Sequence, residues 1–386
     1  MTALPQGFVA HVGSIGIRDD APDFLVIAAD HPVAAAAVFT RSRFEGPSVT
    51  ISREHVADGH LRAFAVVARN ANVATGEQGR RDAEEVVAGV AAALGCSPDD
   101  VLIASTGVIG RLYPMDRVRA HLAHLAQRSD AFDEHQAEPA AAAMMTTDTV
   151  LKVASARCGR GTVVGMAKGV GMIEPDMATL IALFCTDVEL PPGPLDFVFR
   201  RVIDRTLNAV SIDTDTSTSD TAAIMAGGTA GPVSAARLEA ALHEVALSLT
   251  RQIARDGEGA TTLIEVRVDG ARDDAQAKRV GKAIVNSPLV KTAVHGADPN
   301  WGRVAMAIGK CSDETDVDPD RVVIRFGDRE VYPHLLDEAA LADLSGYLAG
   351  DDVVIHVSLG IADGSFTVYG CDLTDGYVRI NADYTT

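Results

Sequence analysis

Aromatic side chains are scarce in this chain of 386 residues: they make up 5%, with one tryptophan. Since 47% of the residues are hydrophobic, the interior has to be filled by Ala, Val, Leu and Ile, in one or two domains' worth of core. Positive charge is also short. Lys and Arg number 34 against 53 Asp and Glu, a formal charge of −19, which argues against nucleic acid and anionic membrane as partners because both demand basic patches. No apolar run reaches the roughly 18 residues of a membrane span. The N-terminus, Met1 to Gly7, lacks the charged and apolar regions of a signal peptide. The five cysteines, Cys96, Cys158, Cys185, Cys311 and Cys371, are scattered singly, so a structural zinc site has no support and a reducing compartment is implied. A soluble cytoplasmic protein is the expectation. The chain also lacks a phosphate-binding loop and a cluster of metal ligands.

What is present alternates between strand and helix patterns. Residues 24–28 and 34–40 are apolar runs separated by Asp30-His31-Pro32, a turn signal, and 63–68 is a buried strand. Residues 79–94 carry Ala83, Val86, Val87, Val90 and Leu94 at helical spacing, with Gly95 as a stop. Strand 101–105 ends in Thr106-Gly107, Pro114 opens a helix bearing Val118, Leu122 and Leu125, and 130–143 is an acidic, alanine-rich helix. Strands 151–155 and 162–166 flank a basic hairpin loop. After Pro191-Pro192 a helix places Phe197, Val202, Ile203 and Leu207 on one face, and 238–253 is a long amphipathic helix before the alternating strand 263–268. The last hundred residues have a separate rhythm: helices at 274–284 and 335–347, an irregular loop at 295–303, and strands at 322–326, 353–357 and 366–369, together a small α+β subdomain.

One stretch organises the rest. Between Gly165 and Glu189 a bent loop, Lys168-Gly169-Val170-Gly171-Met172-Ile173-Glu174-Pro175-Asp176, leads into an apolar strand that starts at Thr179. By itself Thr179 reads as a strand residue, a cap or a nucleophile. The polar run 211–221, rich in hydroxyls and with three aspartates, reads as a turn network or the wall of a polar pocket.

The junction resembles the self-processing segment of the ornithine acetyltransferase, or glutamate N-acetyltransferase, family. There a Lys-Gly-x-Gly-Met-Ile loop precedes Pro-x-Met-Ala-Thr; here these are Lys168 to Ile173 and Pro175 to Thr179. The likeness continues in family order at Ser105-Thr106-Gly107, Met145-Thr146-Thr147-Asp148, the run from Asp213 to Thr218, Asp256-Gly257-Glu258-Gly259, the run from Asp298 to Arg303, and Asn381 to Thr386. Residues 211–221 and 286–311 are most like the branch of the family encoded with clavulanic acid biosynthesis. The chain departs at Arg69, where Ser-Gly is usual before Asn70, at Val170, and at Glu174 and Asp176, which replace His and Asn.

The resemblance implies an αββα sandwich of the N-terminal-nucleophile type with a smaller C-terminal α+β subdomain. It implies self-cleavage between Ala178 and Thr179 into segments 1–178 and 179–386, with 179–270 completing the core and 271–386 forming the subdomain. Cleavage would make Thr179 N-terminal, so that its own α-amine, with a reference pKa of roughly 7.7–8.0, serves as the base its hydroxyl needs. By the same resemblance Thr106 and Gly107 form the oxyanion hole, and Thr146, Lys168, Thr179, Glu258, Asn381 and Thr386 contact substrate. Lys168 is the partner for a carboxylate and Glu258 for an ammonium, and Thr147 stands close enough to Thr146 to be the contact in its place. The expected reaction is a two-step transfer of acetyl from N2-acetyl-L-ornithine to L-glutamate, without cofactor or metal, by an α2β2 assembly of the two segments. An amidase or aminopeptidase of related architecture that sends the acyl group to water, and a non-catalytic member of the family, are the competing readings.

Overall fold

The computed structural model describes residues 1–17, 21–128, 130–174, 180–334 and 336–383. Its first sheet is built on one long strand. β1 (Phe8–Gly13) pairs antiparallel with the first half of β2 (Phe24–Phe39), and β3 (His60–Val67) lies on the other edge of that half, followed in parallel by β4 (Val101–Ser105). The strands β5 (Lys152–Cys158), β6 (Gly161–Lys168), β7 (Ile181–Glu189) and β8 (Thr221–Pro232) extend from the second half of β2 in the order β8, β7, β6, β5. The turn expected at residues 30–32 is instead a break in register between Ala28 and Val33, inside a continuous strand. Pro32 has no N–H to give the ladder, so β2 bends there and changes partners rather than ending.

The bend divides the sheet into two facing layers. Leu25, Ile27, Phe64 and Leu102 of the first layer meet Met166, Leu183 and Met225 of the second in one apolar cluster, which α4 (Ala137–Met144) also enters; α4 is shorter than the helix expected over 130–143. The outer face of the first layer, through Phe24, Val26, Ala65 and Ile103, is covered by α1 (Pro47–His55), α2 (Gly76–Leu94) and α3 (Met115–Gln127). The outer face of the second, through Val163, Phe184 and Ile224, is covered by α5 (Pro192–Arg205) and α6 (Ala235–Arg255). This alternation of side chains along each strand produces the expected αββα sandwich.

The second sheet has the order β11-β10-β12-β9-β13, from β9 (Leu263–Ala271), β10 (Val323–Phe326), β11 (Arg329–Tyr332), β12 (Asp352–Ser358) and β13 (Gly364–Cys371). Its helices are α7 (Asp274–Val285), α8 (Pro288–His295), α9 (Trp301–Gly309), α10 (Glu338–Leu348) and α11 (Asp375–Asp383). The sheet thus starts at Leu263 and not after 270, because β9 finds a parallel partner in β12. Leu263, Val266 and Val280 share one core with Leu249 and Ile253 of α6, so the two sheets are joined through apolar contact. Residues 301–303, expected in a loop, open α9. Phe197 is 61% exposed, under the Arg201 guanidinium; α5 buries Leu195, Val198, Phe199, Val202 and Ile203 instead. No helix among the described residues is long and apolar enough to cross a membrane.

Candidate active site

β3 and β4 run in parallel and deliver their C-terminal loops side by side. Beyond them Asn70 bridges Thr106, and Arg69, itself at φ 71°, crosses directly over Gly107. Gly107 has φ 130°, and a Cβ there would lie 2.1 Å from the Arg69 carbonyl carbon, so only glycine fits. The Thr106 N–H donates to Val67 O at 3.1 Å. Its hydroxyl is turned the other way, where Oγ1 accepts from Lys168 Nζ at 3.1 Å. The Arg69 guanidinium donates to Thr146 O at 3.0 Å, which ties this loop to the next segment of wall.

That segment, 146–149, is set by Asp148. Its carboxylate is fully buried and accepts from Thr146 N at 3.1 Å, from Lys152 Nζ at 2.8 Å and from Gly169 N at 2.7 Å. Burial would raise the Asp148 carboxyl, but Lys168, Lys152 and the Gly169 N–H together hold it below the usual carboxylate range. Lys168, at the end of β6, is pushed the opposite way: desolvation lowers its ammonium below an ordinary lysine, partly offset by Asp148, Asp220 and Glu258.

The loop from Gly169 to Glu174 lies against two others. Glu258 N donates to Val170 O at 2.9 Å, and Gly171 passes so close to Glu258 that a Cβ would meet its carboxylate at 2.5 Å. The Asp213 carboxylate accepts from Met172 N at 2.6 Å and Ile173 N at 2.8 Å, and steadies Met172 at φ 55°. Burial pushes the Asp213 carboxyl up despite these bonds. Glu174 is held by Asn286 at 2.9 Å and Lys282 at 3.3 Å. Glu258 accepts from Asn381 Nδ2 at 2.9 Å and from Thr147 Oγ1 at 3.4 Å; Asn381 is placed by α11.

These loops enclose a cavity of about 200 Å³. Thr106, Gly107, Thr146, Lys168, Glu258 and Asn381, six expected site residues from distant parts of the chain, all line it. Thr147 lines it too, as do Ser217, Thr218, Ser219 and Asp220, so the second half of the polar 211–221 run is a pocket wall, while Ser211, Asp213 and Thr216 of the first half bond the backbone of 172–174 as a turn network. Ala178, Thr179 and Thr386 lie outside the described residues, but Leu180 and Ile181, which follow Thr179 in the chain, border the cavity. Reading the sequence did not find Lys152. A lone lysine in a strand pattern reads as a solvated edge, yet this one is buried between Asp148 and Asp256. Among the described residues no group of three or more His, Cys, Asp or Glu side chains is arranged to hold a metal ion.

The comparisons with known proteins agree with the motif reading. The ArgJ family profile matches residues 9–386. Glutamate N-acetyltransferase Oat2 of Streptomyces clavuligerus is 60% identical over 99% of this chain and 98% of its own length. Arginine biosynthesis bifunctional protein ArgJ 2 of a Nostoc species is 53% identical over 100% and 99%. A crystallised ornithine acetyltransferase from Mycobacterium tuberculosis, complexed with ornithine, is 34% identical over 46% of this chain and 96% of the solved chain, at a TM-score of 0.43. The chain therefore belongs to the ArgJ family, the ornithine acetyltransferases, and is an acyltransferase.

Proposed function

We propose that this protein cleaves itself before Thr179 and then transfers acetyl from N2-acetyl-L-ornithine to L-glutamate through an acetyl-threonine intermediate, as a cytoplasmic α2β2 enzyme of arginine-type amino-acid biosynthesis. The observation that carries this reading is the meeting of six motif residues around one cavity bordered by Leu180 and Ile181. The cavity suits a small amino-acid derivative better than a drug-sized ligand.

In the cleavage step Thr179 Oγ attacks the Ala178 carbonyl, the amide becomes an ester, and water opens it. The freed α-amine then takes the hydroxyl proton as Oγ attacks the acetyl carbon of the donor. Negative charge gathers on the acetyl oxygen, where two donors are at hand: the Gly107 N–H and the Thr106 hydroxyl. The Thr106 N–H is committed to Val67 O, so the side chain is the donor. Lys168 donates to Thr106 Oγ1, which polarises that hydroxyl and leaves its hydrogen for the oxyanion. The proton held by the amine passes to the departing ornithine nitrogen.

Lys168 also faces the donor carboxylate and Glu258 its ammonium. When glutamate enters, Asn381 Nδ2 and Thr147 Oγ1, which both reach Glu258, are the donors that turn to the side-chain carboxylate. Its α-amine attacks acetyl-Thr179 and restores the free enzyme. The cycle consumes neither coenzyme A nor a metal ion. The test is ornithine release from N2-acetyl-ornithine with and without glutamate. Sustained turnover is expected only with glutamate, and equal turnover without it would make the protein a hydrolase.

A further inference from the structure

Three pieces of the cavity wall come from distant places: the 146–149 turn, the loop after β6 that begins at Lys168, and the turn after α6 that bears Glu258. One enclosed lysine joins them. Lys152 Nζ is 2.8 Å from Asp148 Oδ1 and 2.5 Å from Asp256 Oδ2, with no exposure of its own side chain. Both carboxylates reach onward to backbone. Asp148 holds Gly169 N at 2.7 Å and Thr146 N at 3.1 Å, while Asp256 holds Thr149 N at 3.1 Å and the Thr149 hydroxyl. Glu258 lies two residues beyond Asp256 and bonds through its N–H to Val170 O, two residues beyond Lys168. A buried ion group is a poor source of stability, because desolvation consumes most of the attraction. Its value is that each charge admits few geometries.

We propose that Asp148, Lys152 and Asp256 are positioning residues that fix the separation of Lys168 from Glu258, and so set the length of the diamino acid that the donor site accepts. The inference rests on the assignment of Lys168 to the donor's carboxylate and Glu258 to its ammonium. A donor carries these charges at opposite ends of its carbon chain. With receptors at fixed spacing, a shorter chain leaves one charge unpaired and a longer one must buckle.

The test compares wild type, Lys152→Met and Asp256→Asn on three donors with glutamate as acceptor: N2-acetyl-ornithine, N2-acetyl-lysine and N2-acetyl-2,4-diaminobutyrate. In the variants KM for N2-acetyl-ornithine is expected to rise about tenfold with kcat changed less than about threefold, and the kcat/KM preference for ornithine over its homologues to fall about tenfold. A preference kept within about threefold of wild type overturns the proposal, whatever happens to kcat or thermal stability, since a merely structural role lowers all donors alike. If Lys152→Met does not accumulate folded, Asp256→Asn, which keeps the Lys152–Asp148 pair, carries the same reading. Lys168→Met and Glu258→Gln, which leave all three positioning residues in place, serve as controls. If neither changes KM, the underlying assignment falls and the inference with it.

Discussion

Gly107 is the residue at which backbone geometry and proposed chemistry coincide. Its φ of 130° and the Arg69 backbone at 2.1 Å from any Cβ mean that Gly107→Ala must displace one of the two loops. If Gly107 is an oxyanion donor as proposed, its loss costs roughly 3–4 kcal/mol, so kcat/KM for acetyl transfer by the folded fraction is expected to fall about 10²–10³-fold. A Gly107→Ala enzyme with near-normal kcat/KM would place the oxyanion elsewhere. Lys168 gives a second prediction, on pH. In the proposed cycle the Thr179 amine would act as a base only when neutral, so kcat/KM is expected to rise as pH passes the amine pKa of roughly 7.7–8.0. In the proposed donor site Lys168 would hold a carboxylate firmly only when charged. Desolvation lowers its pKa, so activity falls again at a pH below that of an ordinary lysine. The profile is therefore bell-shaped, and Lys168→Arg, which stays charged, is expected to move the alkaline limb up to the pH at which the donor's own ammonium deprotonates and to keep the acid limb. At this scale the sequence was legible only where a motif covered it. Thr106, Gly107, Thr146, Lys168, Glu258 and Asn381 are legible through the family motifs alone, since nothing in their spacing marks them. Lys152 carries no motif, and Asp256 stands in one without a role, because the ion pair that joins them spans 104 residues of sequence.

Among the elements, α5 separates pattern from burial. Phe184 of β7 and Phe199 of α5 meet edge to face at 5.9 Å, and both are fully buried. Phe184→Ala is expected to cost about 3–5 kcal/mol in urea unfolding. Phe197→Ala, on the exposed side of the same helix, should stay within about 0.5 kcal/mol. Equal losses would mean that α5 faces the sheet differently. The helical period was visible, but the choice of face depended on which of two neighbouring phenylalanines met the sheet. Strands rich in branched residues, such as those around Phe64, Ile103 and Phe184, were legible. β8 was not: Thr-Ala-Ala-Ile-Met-Ala-Gly-Gly carries little strand propensity and forms because β2 and β7 pair on either side of it. The bend in β2 was read as a turn because a proline inside a strand leaves the same local signal as a chain reversal.

For the whole molecule, the αββα sandwich and the second sheet share one apolar core, so the C-terminal part is built onto the sandwich and not tethered beside it. This lets α11 bring Asn381 to Glu258 although 123 residues separate them. The two-layer arrangement was expected from the resemblance; the point where the second sheet begins was not, since β9 belongs to whichever sheet holds its parallel partner β12. If the chain is cut before Thr179, β6 and β7 end up in different polypeptides yet remain hydrogen-bonded neighbours, so the pieces should copurify without denaturant. Intact mass spectrometry of the purified active protein tests this most directly. The account predicts two polypeptides, 1–178 and 179–386, with an acetyl increment on the second alone after N2-acetyl-ornithine and its loss on adding glutamate; Thr179→Ala should give one inactive chain. An active preparation in which the bond between Ala178 and Thr179 is intact would contradict it.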